Sequence, residues 1–328
     1  MNIIFIYRQS HIVSKRNPLI SSQQESIQQN GNKVFSFNIL GRSFYSYLSN
    51  SQQLRKVIKQ HNIDIIHAHY SLSGFTAVLA FSSKPVVLSL MGSDILGEHI
   101  TQNKISFRSK IVILITRFVQ YFVDAIIVKS QNIYDQVSRK SITSIIPNGV
   151  DLQIFQPINK LESRNTLGLS LDKKYILFLA NPSSAWKNFK LAAEAVGLLN
   201  DPDTILLAPY PVSHNEIPLY LNATDVFIST SFMEGSSNVI KEAMACNCPV
   251  VATDVGDASL ILAETPGCFI TGFEPAEVSQ KLRSALIFAF EKNQTKGRER
   301  IIHLGLDAES VSKKIIKVYE SVLVKASD

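Results

Sequence analysis

Short apolar runs recur along the whole chain, and polar or amphipathic stretches long enough for a helix separate them. Strands buried on both faces and alternating with helices are typical of a doubly wound parallel sheet. The pattern predicts an α/β protein with strands at residues 2–7, 33–39, 64–68, 85–90, 125–128, 143–147, 175–180, 204–209, 225–229, 249–253 and 267–270. Helical periodicity predicts helices at residues 52–60, 106–123 and 307–324.

The alternation is interrupted at residues 147–174, where two prolines and mixed polar residues give no regular period. We predict a linker there. A chain of 328 residues is long enough to bury two separate cores. The sequence therefore predicts two similar α/β domains in tandem with a cleft between them. In open α/β sheets, ligands bind beyond the carboxyl ends of the strands, so the residues that follow each apolar run are the candidates for a site.

The two halves of the sequence differ in charge. Residues 1–150 contain 16 Lys and Arg against 6 Asp and Glu, whereas residues 151–328 contain 17 against 21. A basic half indicates an anionic partner, although scattered solvated lysines would give the same count. Lys104, Arg108, Lys110 and Arg117 flank an apolar helix, which favours an anionic membrane surface over nucleic acid. No RNA-binding aromatic motif or zinc finger supports a nucleic-acid partner.

Membrane insertion and targeting leave no strong signal in the sequence. Residues 111–130 form the most apolar segment, yet Arg117, Gln120 and Asp124 interrupt it, so it fails as a spanning helix. The apolar run at the N-terminus is too short for a signal peptide. We expect a soluble, cytoplasmic protein that is peripheral at the inner face of the cell membrane.

The chain has three cysteines, Cys246, Cys248 and Cys268. An odd, sparse set argues against a disulfide framework and fits a reducing compartment. No second ligand pair stands at zinc spacing, so we expect no metal site. Asp201 and Asp203 form a D-x-D, but they precede a strand in a polar turn, and we interpret them as turn residues.

The stretch EGSSNVIKE at residues 234–242 places two carboxylates on either side of a small polar turn, directly after a predicted strand. Serine and asparagine at a helix start leave amide N–H groups that, with the helix dipole, attract a phosphate. A carboxylate accepts two hydrogen bonds from sugar or ribose hydroxyls. Glu234 and Glu242 therefore suit a nucleotide sugar, although spacing alone leaves two solvated charges on a helix surface as the alternative.

Residues 223–257, ATDVFISTSFMEGSSNVIKEAMACNCPVVATDVGD, resemble nearly throughout the E-x7-E segment of glycosyltransferase family 4, whose members are retaining nucleotide-sugar enzymes. HAHY (67–70), LMGSD (90–94), IIPNGVD with Phe155 and Pro157 (145–157), and ANPSSAWKN (180–188) follow the family order. The resemblance implies a GT-B fold of two Rossmann-like doubly wound domains facing a cleft. Residues 1–150 would bind the acceptor, residues 158–305 the nucleotide sugar, and a helix at 306–328 would cross back to the first domain.

The resemblance also implies roles for individual residues. Glu234 would bind hydroxyls of the transferred sugar, Glu242 would bind the ribose, and Lys187 would neutralise the departing diphosphate as its charge grows. The family typically uses no metal or other cofactor, so we expect none. The expected donor substrate is a UDP- or GDP-sugar. The remaining predicted donor-binding residues follow the strands of the second domain: Gly235, Ser236, Ser237, Asn238, Asn181 and Gly256.

Three departures from the family pattern stand out. The family usually has Gly-Arg where this chain has Ala180-Asn181, so either Lys187 acts largely alone or another cation, such as Lys190 or one from the first domain, substitutes. Residues 8–24 stand where family members usually have a glycine-rich turn in the N-terminal loop. Met91 stands where many members carry a histidine near the sugar's C6 hydroxyl, which suggests a 6-deoxy sugar, unless Met91 only fills the cleft floor.

In the first domain, His69 and Tyr70 are the candidates for the acceptor site, with His69 as the candidate catalytic residue. We expect the chain to turn before His69, which leaves His67 as a packed structural residue. His11 in the N-terminal loop is a further acceptor-side candidate. Asp94 is either a helix cap or an acceptor-side residue.

Taken with the resemblance, the sequence predicts a retaining, metal-independent, hexosyl-type glycosyltransferase. The expected acceptor is a phosphorylated or lipid-linked saccharide, in bacterial surface polysaccharide or glycolipid assembly. A nucleotide-sugar 2-epimerase on the same fold and a catalytically weak partner subunit are the alternatives. A dinucleotide dehydrogenase would need G-x-G-x-x-G after a first strand, and neither domain shows it.

Overall fold

The computed structural model describes residues 1–8, 18–41, 44–101 and 103–327. The chain divides into two compact units. Unit 1 comprises Met1–Glu98, Ile105–Gly149 and Ala308–Asp328, and unit 2 comprises His99–Lys104 and Val150–Asp307. Each unit is built on a parallel sheet covered by helices, so the predicted fold class is confirmed.

The strands have the following bounds: β1 (Asn2–Tyr7), β2 (Lys33–Asn38), β3 (Ile65–His69), β4 (Val86–Ser89), β5 (His99–Thr101), β6 (Lys104–Ile105), β7 (Ala125–Val128), β8 (Thr143–Ile145), β9 (Lys174–Leu177), β10 (Thr204–Leu207), β11 (Val226–Ser229), β12 (Val250–Thr253) and β13 (Cys268–Thr271). The helices are α1 (Pro18–Gln29), α2 (Phe44–Gln60), α3 (Ser71–Leu79), α4 (Ser93–Leu96), α5 (Phe107–Val119), α6 (Gln131–Gln136), α7 (Lys160–Leu167), α8 (Phe189–Gly197), α9 (Ile217–Ala223), α10 (Asn238–Ala245), α11 (Ala258–Leu262), α12 (Pro275–Lys292), α13 (Gly297–His303) and α14 (Ala308–Ser327). Short 3-10 turns occupy Gln120–Phe122, Lys140–Ile142 and Ala185–Lys187.

The sheet of unit 1 has the order β2-β1-β3-β4-β7-β8, with every neighbouring pair parallel. Its strands are buried on both faces, which explains why they are continuous apolar runs in the sequence. One face packs on α2, α3 and α5 around Ile4, Ile66 and Leu88. The other packs on α1 and α14, where Phe5 and Tyr319 are part of the core. The C-terminal helix therefore completes unit 1.

The sheet of unit 2 has the order β10-β9-β11-β12-β13 and is also parallel throughout. Helices α9, α10, α11 and α13 cover one face through residues such as Ile240, Met244 and Ile261. Helices α8 and α12 cover the other through Leu191 and Leu282. This arrangement puts the residues that follow β9, β11 and β12 at one edge of the sheet.

The predicted linker was wrong in part, because residues 147–174 contain helix α7. Asn159 caps α7 by accepting N–H bonds from Leu161 and Glu162, and Gly168 ends it in the left-handed conformation. Its buried positions are Ser163 and Arg164 rather than apolar residues, so no hydrophobic period marks it. Arg164 donates to the Ala223 carbonyl at 2.8 Å and pairs with Asp225 at 2.8 Å. Unit 2 accordingly begins at Val150.

Strand β3 continues through His69, so the turn expected before that residue was wrong. Because strand side chains alternate, His67 and His69 share one face of the sheet, and their rings stack with centroids 4.3 Å apart. Periodicity also missed β5 and β6, which are too short to show a pattern. Lys104, expected beside the apolar helix, lies in this hairpin and belongs to unit 2.

Helix α5 begins after Ser106, whose hydroxyl accepts the Ser109 N–H at 3.2 Å. It ends in the 3-10 turn Gln120–Phe122, slightly before the predicted boundary. Within the residues that the structure describes, no helix is both long and apolar enough to cross a bilayer.

Candidate functional site

The predicted donor-binding residues of unit 2 lie on three loops that leave β9, β11 and β12. These strands are neighbours in a parallel sheet, so their carboxyl ends meet at one edge. Residues 178–188 follow β9, residues 230–237 follow β11, and residues 254–257 follow β12.

Glu234 and Lys187 form an ion pair at this edge. The Lys187 Nζ lies 2.6 Å from Oε1 of Glu234, and Ser231 donates its hydroxyl to the same oxygen at 2.8 Å. The ammonium also stands 4.0 Å from the ring centroid of Trp186. Both side chains are largely buried, so the carboxylate and the cation have fixed positions rather than being loose surface charges.

Hydrogen bonds between loops determine where Lys187 lies. Thr230 donates its hydroxyl to the carbonyls of Lys187 and Asn188, at 3.1 and 2.9 Å. The Phe232 N–H donates to the Trp186 carbonyl at 2.8 Å. Asn188 adopts a left-handed conformation at φ 53°, which ends the 3-10 turn and starts α8. The loops after β9 and β11 therefore position Lys187 together.

Asn181 has a local structural role in this loop. Its side-chain oxygen accepts the Ser183 N–H at 2.9 Å, and its carbonyl accepts the Ser184 N–H at 3.0 Å. These bonds make an Asx turn that starts the segment leading to Lys187. A neutral amide stands where the family usually carries arginine, so position 181 supplies no cation.

The start of α10 contains the small polar turn between the two glutamates. Ser237 is the N-cap, and its hydroxyl accepts the Ile240 N–H. Gly235 and Ser236 lead into this turn, and the helix dipole makes its amide end electropositive. Ser236 accepts a hydrogen bond from Lys241 Nζ at 2.9 Å.

Three buried acceptor oxygens near this turn have no hydrogen-bond partner in the described part of the chain. They are Oε2 of Glu242, Oδ1 of Asn238 and Oδ1 of Asp257. Buried polar atoms are nearly always paired in folded proteins, since an unpaired one costs free energy. Hydroxyl groups of a ligand would supply the missing donors. Glu242 is 5% exposed, and its other oxygen lies 3.8 Å from Nε2 of His214.

Gly256 lies against the backbone of Glu234 and Gly235. It has φ +67°, and a Cβ on it would lie 2.8 Å from the Gly235 carbonyl oxygen and 3.0 Å from that of Glu234. The loop after β12 thus packs directly on the loop that contains Glu234 and Gly235, and Gly256 permits this contact because it has no side chain.

Lys241, Asp257 and His214 were not among the predicted site residues. Lys241 is 1% exposed. Burial lowers its pKa to about 8, against the attraction of Asp257, Glu242 and Glu234. Burial also raises the pKa of Asp257, with Lys241 acting in the opposite direction. Lys241 follows Ile240 and precedes Glu242 on α10, where a lysine is expected on the helix surface, so no sequence signal marked its burial. His214 lies in an irregular loop, and the sequence offered no signal for it.

The unit 1 candidate His69 is buried within the sheet. Its ring stacks on His67 and contacts Phe5 edge-on at 4.6 Å. Burial, followed by repulsion from Lys129, lowers the pKa of His69 to about 3. His67 has its ring nitrogens 2.5 Å from the Tyr319 hydroxyl and 2.8 Å from the Ser89 hydroxyl, as befits a packed structural residue.

Tyr70 follows His69 with φ +80°, an uncommon conformation for a bulky side chain. It is half-buried, and burial raises its pKa to about 12. Among the predicted unit 1 residues that the structure describes, Tyr70 and Met91 are partly exposed.

Asp94 joins the loops that follow β3 and β4. It is fully buried, with Oδ1 accepting the N–H groups of Met91 and Gly92 at 3.0 Å each and Oδ2 accepting that of Ser71 at 3.1 Å. Burial raises its pKa to about 6. Its contacts are those of a residue that positions loops. His11 lies outside the described residues.

Asp201 and Asp203 are turn residues, as predicted. Asp201 accepts the Asp203 N–H at 3.0 Å, and the two carboxylates pair with Lys174 and Lys173 at 2.8 and 2.6 Å. The three cysteines are free and buried in the core of unit 2.

Two parallel α/β units, one with a glutamate–lysine pair beside a small polar turn, have the architecture of the GT-B fold. The sequence model of Glycosyltransferase Family 4 matches residues 9–154, and that of Glycosyl transferases group 1 matches residues 209–287. Over these two stretches the chain resembles the family 4 type of glycosyltransferases.

Individual relatives agree with this assignment. A protein of Bacillus subtilis, described as a candidate glycosyltransferase of teichuronic acid biosynthesis, is 27% identical over 233 residues, 64% of this chain and 58% of its own length. A D-inositol 3-phosphate glycosyltransferase of Paenarthrobacter aurescens is 30% identical over 170 residues, 42% of this chain and 41% of its own length. The chain thus spans about half the length of these relatives.

Solved structures share the fold. Sucrose-phosphate synthase from Thermosynechococcus elongatus superposes with a TM-score of 0.79 at 15% identity, over 99% of both chains. Anabaena HepE in complex with UDP and glucose superposes with a TM-score of 0.72 at 17% identity, over 98% of this chain and 100% of its own.

Proposed function

We propose that the protein is a retaining glycosyltransferase that moves a sugar from a UDP- or GDP-sugar to a hydroxyl of a phosphorylated or lipid-linked saccharide. The supporting observation is the ion pair of Lys187 and Glu234 beside the amide end of α10, with the unpartnered oxygen of Glu242 on the same helix. A cation, an amide turn and two carboxylates match the parts of a nucleotide sugar.

Each part of the donor has a chemical partner at this edge. The diphosphate is anionic, and it suits Lys187 and the N–H groups at the helix start. Sugar and ribose hydroxyls are hydrogen-bond donors, and they suit the Glu234 and Glu242 carboxylates. The complexes of HepE with UDP and with UDP-glucose support a uridine donor by analogy of fold.

The proposed reaction needs no covalent enzyme intermediate. The acceptor oxygen bonds to the anomeric carbon on the face from which the diphosphate leaves, while the bond from that carbon to the phosphate oxygen breaks. The acceptor proton passes to the departing phosphate. Lys187 stabilises the negative charge that grows on the leaving group. Glu234 stays a hydrogen-bond acceptor for the sugar, and the resemblance to family 4 supports retention and independence from metal.

Thermal-shift binding against UDP, GDP, ADP and dTDP would identify the nucleotide, since a ligand that binds only the folded state stabilises it. The matching nucleotide sugars are then assayed with saccharide acceptors, and NMR of the product gives the anomeric configuration. Glu234→Ala and Lys187→Ala should each reduce transfer at least about a hundredfold, from the loss of a partner in the transition state. Lys173→Ala is the matched control, because Lys173 pairs with Asp203 in a turn outside the proposed site.

Near-native transfer in either variant would contradict the proposal. Product formed from the donor without any acceptor would favour a 2-epimerase. A paired screen of 6-hydroxy and 6-deoxy donors tests the role of Met91, where preference for the hydroxylated donor excludes the 6-deoxy hypothesis.

The proposed lipid-linked acceptor implies contact with a membrane, and helix α5 offers a surface for it. Its outward face carries a stripe of exposed apolar side chains, Phe107, Ile111, Leu114 and Phe118, and the 3-10 turn that follows adds Tyr121 and Phe122. Arg108, Lys110 and Arg117 fall on either side of this stripe at helical spacing. An apolar stripe between cations is the pattern of a helix that lies in the interface of an anionic bilayer. We therefore propose that α5 binds the inner face of the cell membrane.

Vesicle flotation tests this surface. The wild-type protein should float with vesicles that contain phosphatidylglycerol, less so with pure phosphatidylcholine, and less at high salt. The double variant Leu114→Ser/Phe118→Ser and the triple variant Arg108→Gln/Lys110→Gln/Arg117→Gln should both lose binding. Phe290→Ser is the control, because Phe290 is 90% exposed on α12 of unit 2. Equal flotation of the wild type and both α5 variants would refute the surface.

A further inference from the structure

Lys241 is a buried cation within residues 234–242, the stretch that contains both glutamates. It is 1% exposed on α10, and its Nζ donates to the Ser236 hydroxyl at 2.9 Å. Ser236 belongs to the turn whose amides lead into α10. A lysine loses side-chain entropy and hydration on burial, so this position needs a compensating interaction. The lysine therefore supports the turn from the interior of unit 2.

Carboxylates surround this lysine. Glu234, Glu242 and Asp257 each interact electrostatically with Lys241, and together they counteract the effect of burial on its charge. At a pKa of about 8 the ammonium is charged at neutral pH. With Lys187 as the other cation, three carboxylates face two lysines. Without Lys241, the excess negative charge would oppose a diphosphate.

Lys187 already neutralises Glu234 across 2.6 Å. A diphosphate that draws the Lys187 ammonium toward itself removes the cation from Glu234. Ser231 remains as a donor to Glu234, and Lys241 is then the cation that still attracts this carboxylate. Asn181 supplies none, and Lys190 is 84% exposed with Glu194 as its partner at 3.7 Å.

We propose that Lys241 is the second cation of the donor site, a positioning residue that holds the 235–237 turn and offsets the carboxylates so that a nucleoside diphosphate can bind. This inference rests on the proposed function. It assigns to a residue inside the core the charge that position 181 lacks.

The test compares ligands that differ only in the diphosphate. Affinities for UDP and for uridine are measured by calorimetry on the wild type and Lys241→Met, or for GDP and guanosine if the wild type prefers guanine. We expect Lys241→Met to weaken UDP binding by roughly tenfold to a hundredfold, because the three carboxylates that Lys241 offsets would then repel the diphosphate. Uridine binding should change less than about twofold, since uridine carries no charge.

Two further variants separate charge from packing. Lys241→Arg should recover most of the UDP affinity. Ser236→Ala, which removes the hydrogen-bond partner of Nζ, should weaken UDP severalfold and leave uridine unchanged, and it tests the inference even if Lys241→Met does not fold. Lys190→Met should change neither ligand.

The outcomes distinguish the inference from the function on which it rests. A parallel loss of UDP and uridine, or unchanged UDP binding in both Lys241→Met and Ser236→Ala, overturns the inference alone. A UDP-specific loss in Lys190→Met assigns the second cation to Lys190 and also overturns it. A wild-type protein that binds no nucleoside diphosphate overturns the proposed function together with the inference.

Discussion

At the scale of single residues, the Lys187–Glu234 pair determines how the proposed donor site would work. The two side chains neutralise each other at 2.6 Å, with Ser231 as a further donor to the carboxylate. A partly buried pair of this kind gains little net stability, because desolvation offsets much of the attraction. The pair therefore orients the two side chains more than it stabilises the fold. In the proposed site, a diphosphate would take the place of Glu234 beside Lys187, and sugar hydroxyls would bind Glu234.

Gly256 gives a prediction at the same scale. Gly256→Ala should lower the free energy of unfolding by about 2–3 kcal/mol, because the methyl group meets two backbone carbonyl oxygens that cannot move cheaply. It should also weaken nucleotide binding by displacing the signature turn. Chemical denaturation and calorimetry measure the two effects.

Gly168→Ala is the matched control for backbone strain. Gly168 has φ +65°, close to the +67° of Gly256, but nothing lies within 4 Å of its added Cβ. It should cost only about 1 kcal/mol, from the left-handed conformation alone. Equal losses in the two variants would show that the contact with Gly235 and Glu234 is unimportant.

Spacing and a family resemblance predicted Glu234, Glu242 and Lys187 in one site, and the structure brings them to one sheet edge. Lys241 was missed because charged residues are expected on helix surfaces. Only the packing of α10 in unit 2 makes its burial visible. The partners of Asn181 were equally unpredictable, since an Asx turn depends on the local path of the backbone.

At the scale of elements, helix α7 shows how polar contacts can hold a helix in place. Arg164 joins it to the Ala223 carbonyl and to Asp225, which also accepts Lys160 through its other oxygen at 3.0 Å. Asp225 further accepts the Tyr175 N–H at 2.7 Å and thereby reaches the start of β9. A network of this type fixes α7 on unit 2 without an apolar stripe.

Arg164→Met should destabilise unit 2 by about 3 kcal/mol, because it leaves a partly buried carboxylate and a carbonyl without their donors. Lys160→Met is the matched control, because it removes the other cation that pairs with Asp225. Its side chain is more exposed than that of Arg164, at 22% against 6%, so the loss should stay below about 1 kcal/mol. Urea denaturation measures both, and equal losses would contradict the importance of burial.

The difference between apolar and polar packing explains which elements could be predicted from the sequence. Strands such as 2–7 and 125–128 match β1 and β7 at every residue, because a strand buried on both faces is an uninterrupted apolar run. Helix α7 and the β5–β6 hairpin escaped because one is stabilised by polar contacts and the other is only a few residues long. The end of β3 was misjudged because His67 and His69 are polar residues in a buried strand.

At the scale of the whole molecule, buried histidines make the stability of unit 1 depend on pH. The pKa of His69 is lowered to about 3 by burial, and that of His67 lies well below 6.5 for the same reason. The unfolded chain, with histidines near 6.5, binds more protons below that pH. Stability is therefore fully present above about pH 6.5 and is lost as the pH falls toward 3.

His69→Leu isolates this contribution. The raised pKa of Asp94 acts in the opposite direction between about pH 4 and 6, and it cancels when the variant is compared with the wild type. The free-energy difference should shift in favour of His69→Leu by about 1.4 kcal/mol for each pH unit below 6.5. Denaturation at pH 5, 6 and 7 measures it, and a difference independent of pH would be inconsistent with a neutral buried ring. Loss of transfer at pH 7 with intact stability would support a catalytic His69.

Helix α14 has a consequence for how the protein is made. Unit 2 occupies an uninterrupted stretch from Val150 to Asp307 apart from its short hairpin, whereas the core of unit 1 includes Val311, Ile315 and Tyr319. During synthesis from the N-terminus, the second unit can complete its core while the first still lacks a helix. The hydroxyl that contacts His67 belongs to Tyr319, which is synthesised after the whole of unit 2. Unit 1 therefore begins to be translated before unit 2 but can complete its core only after it.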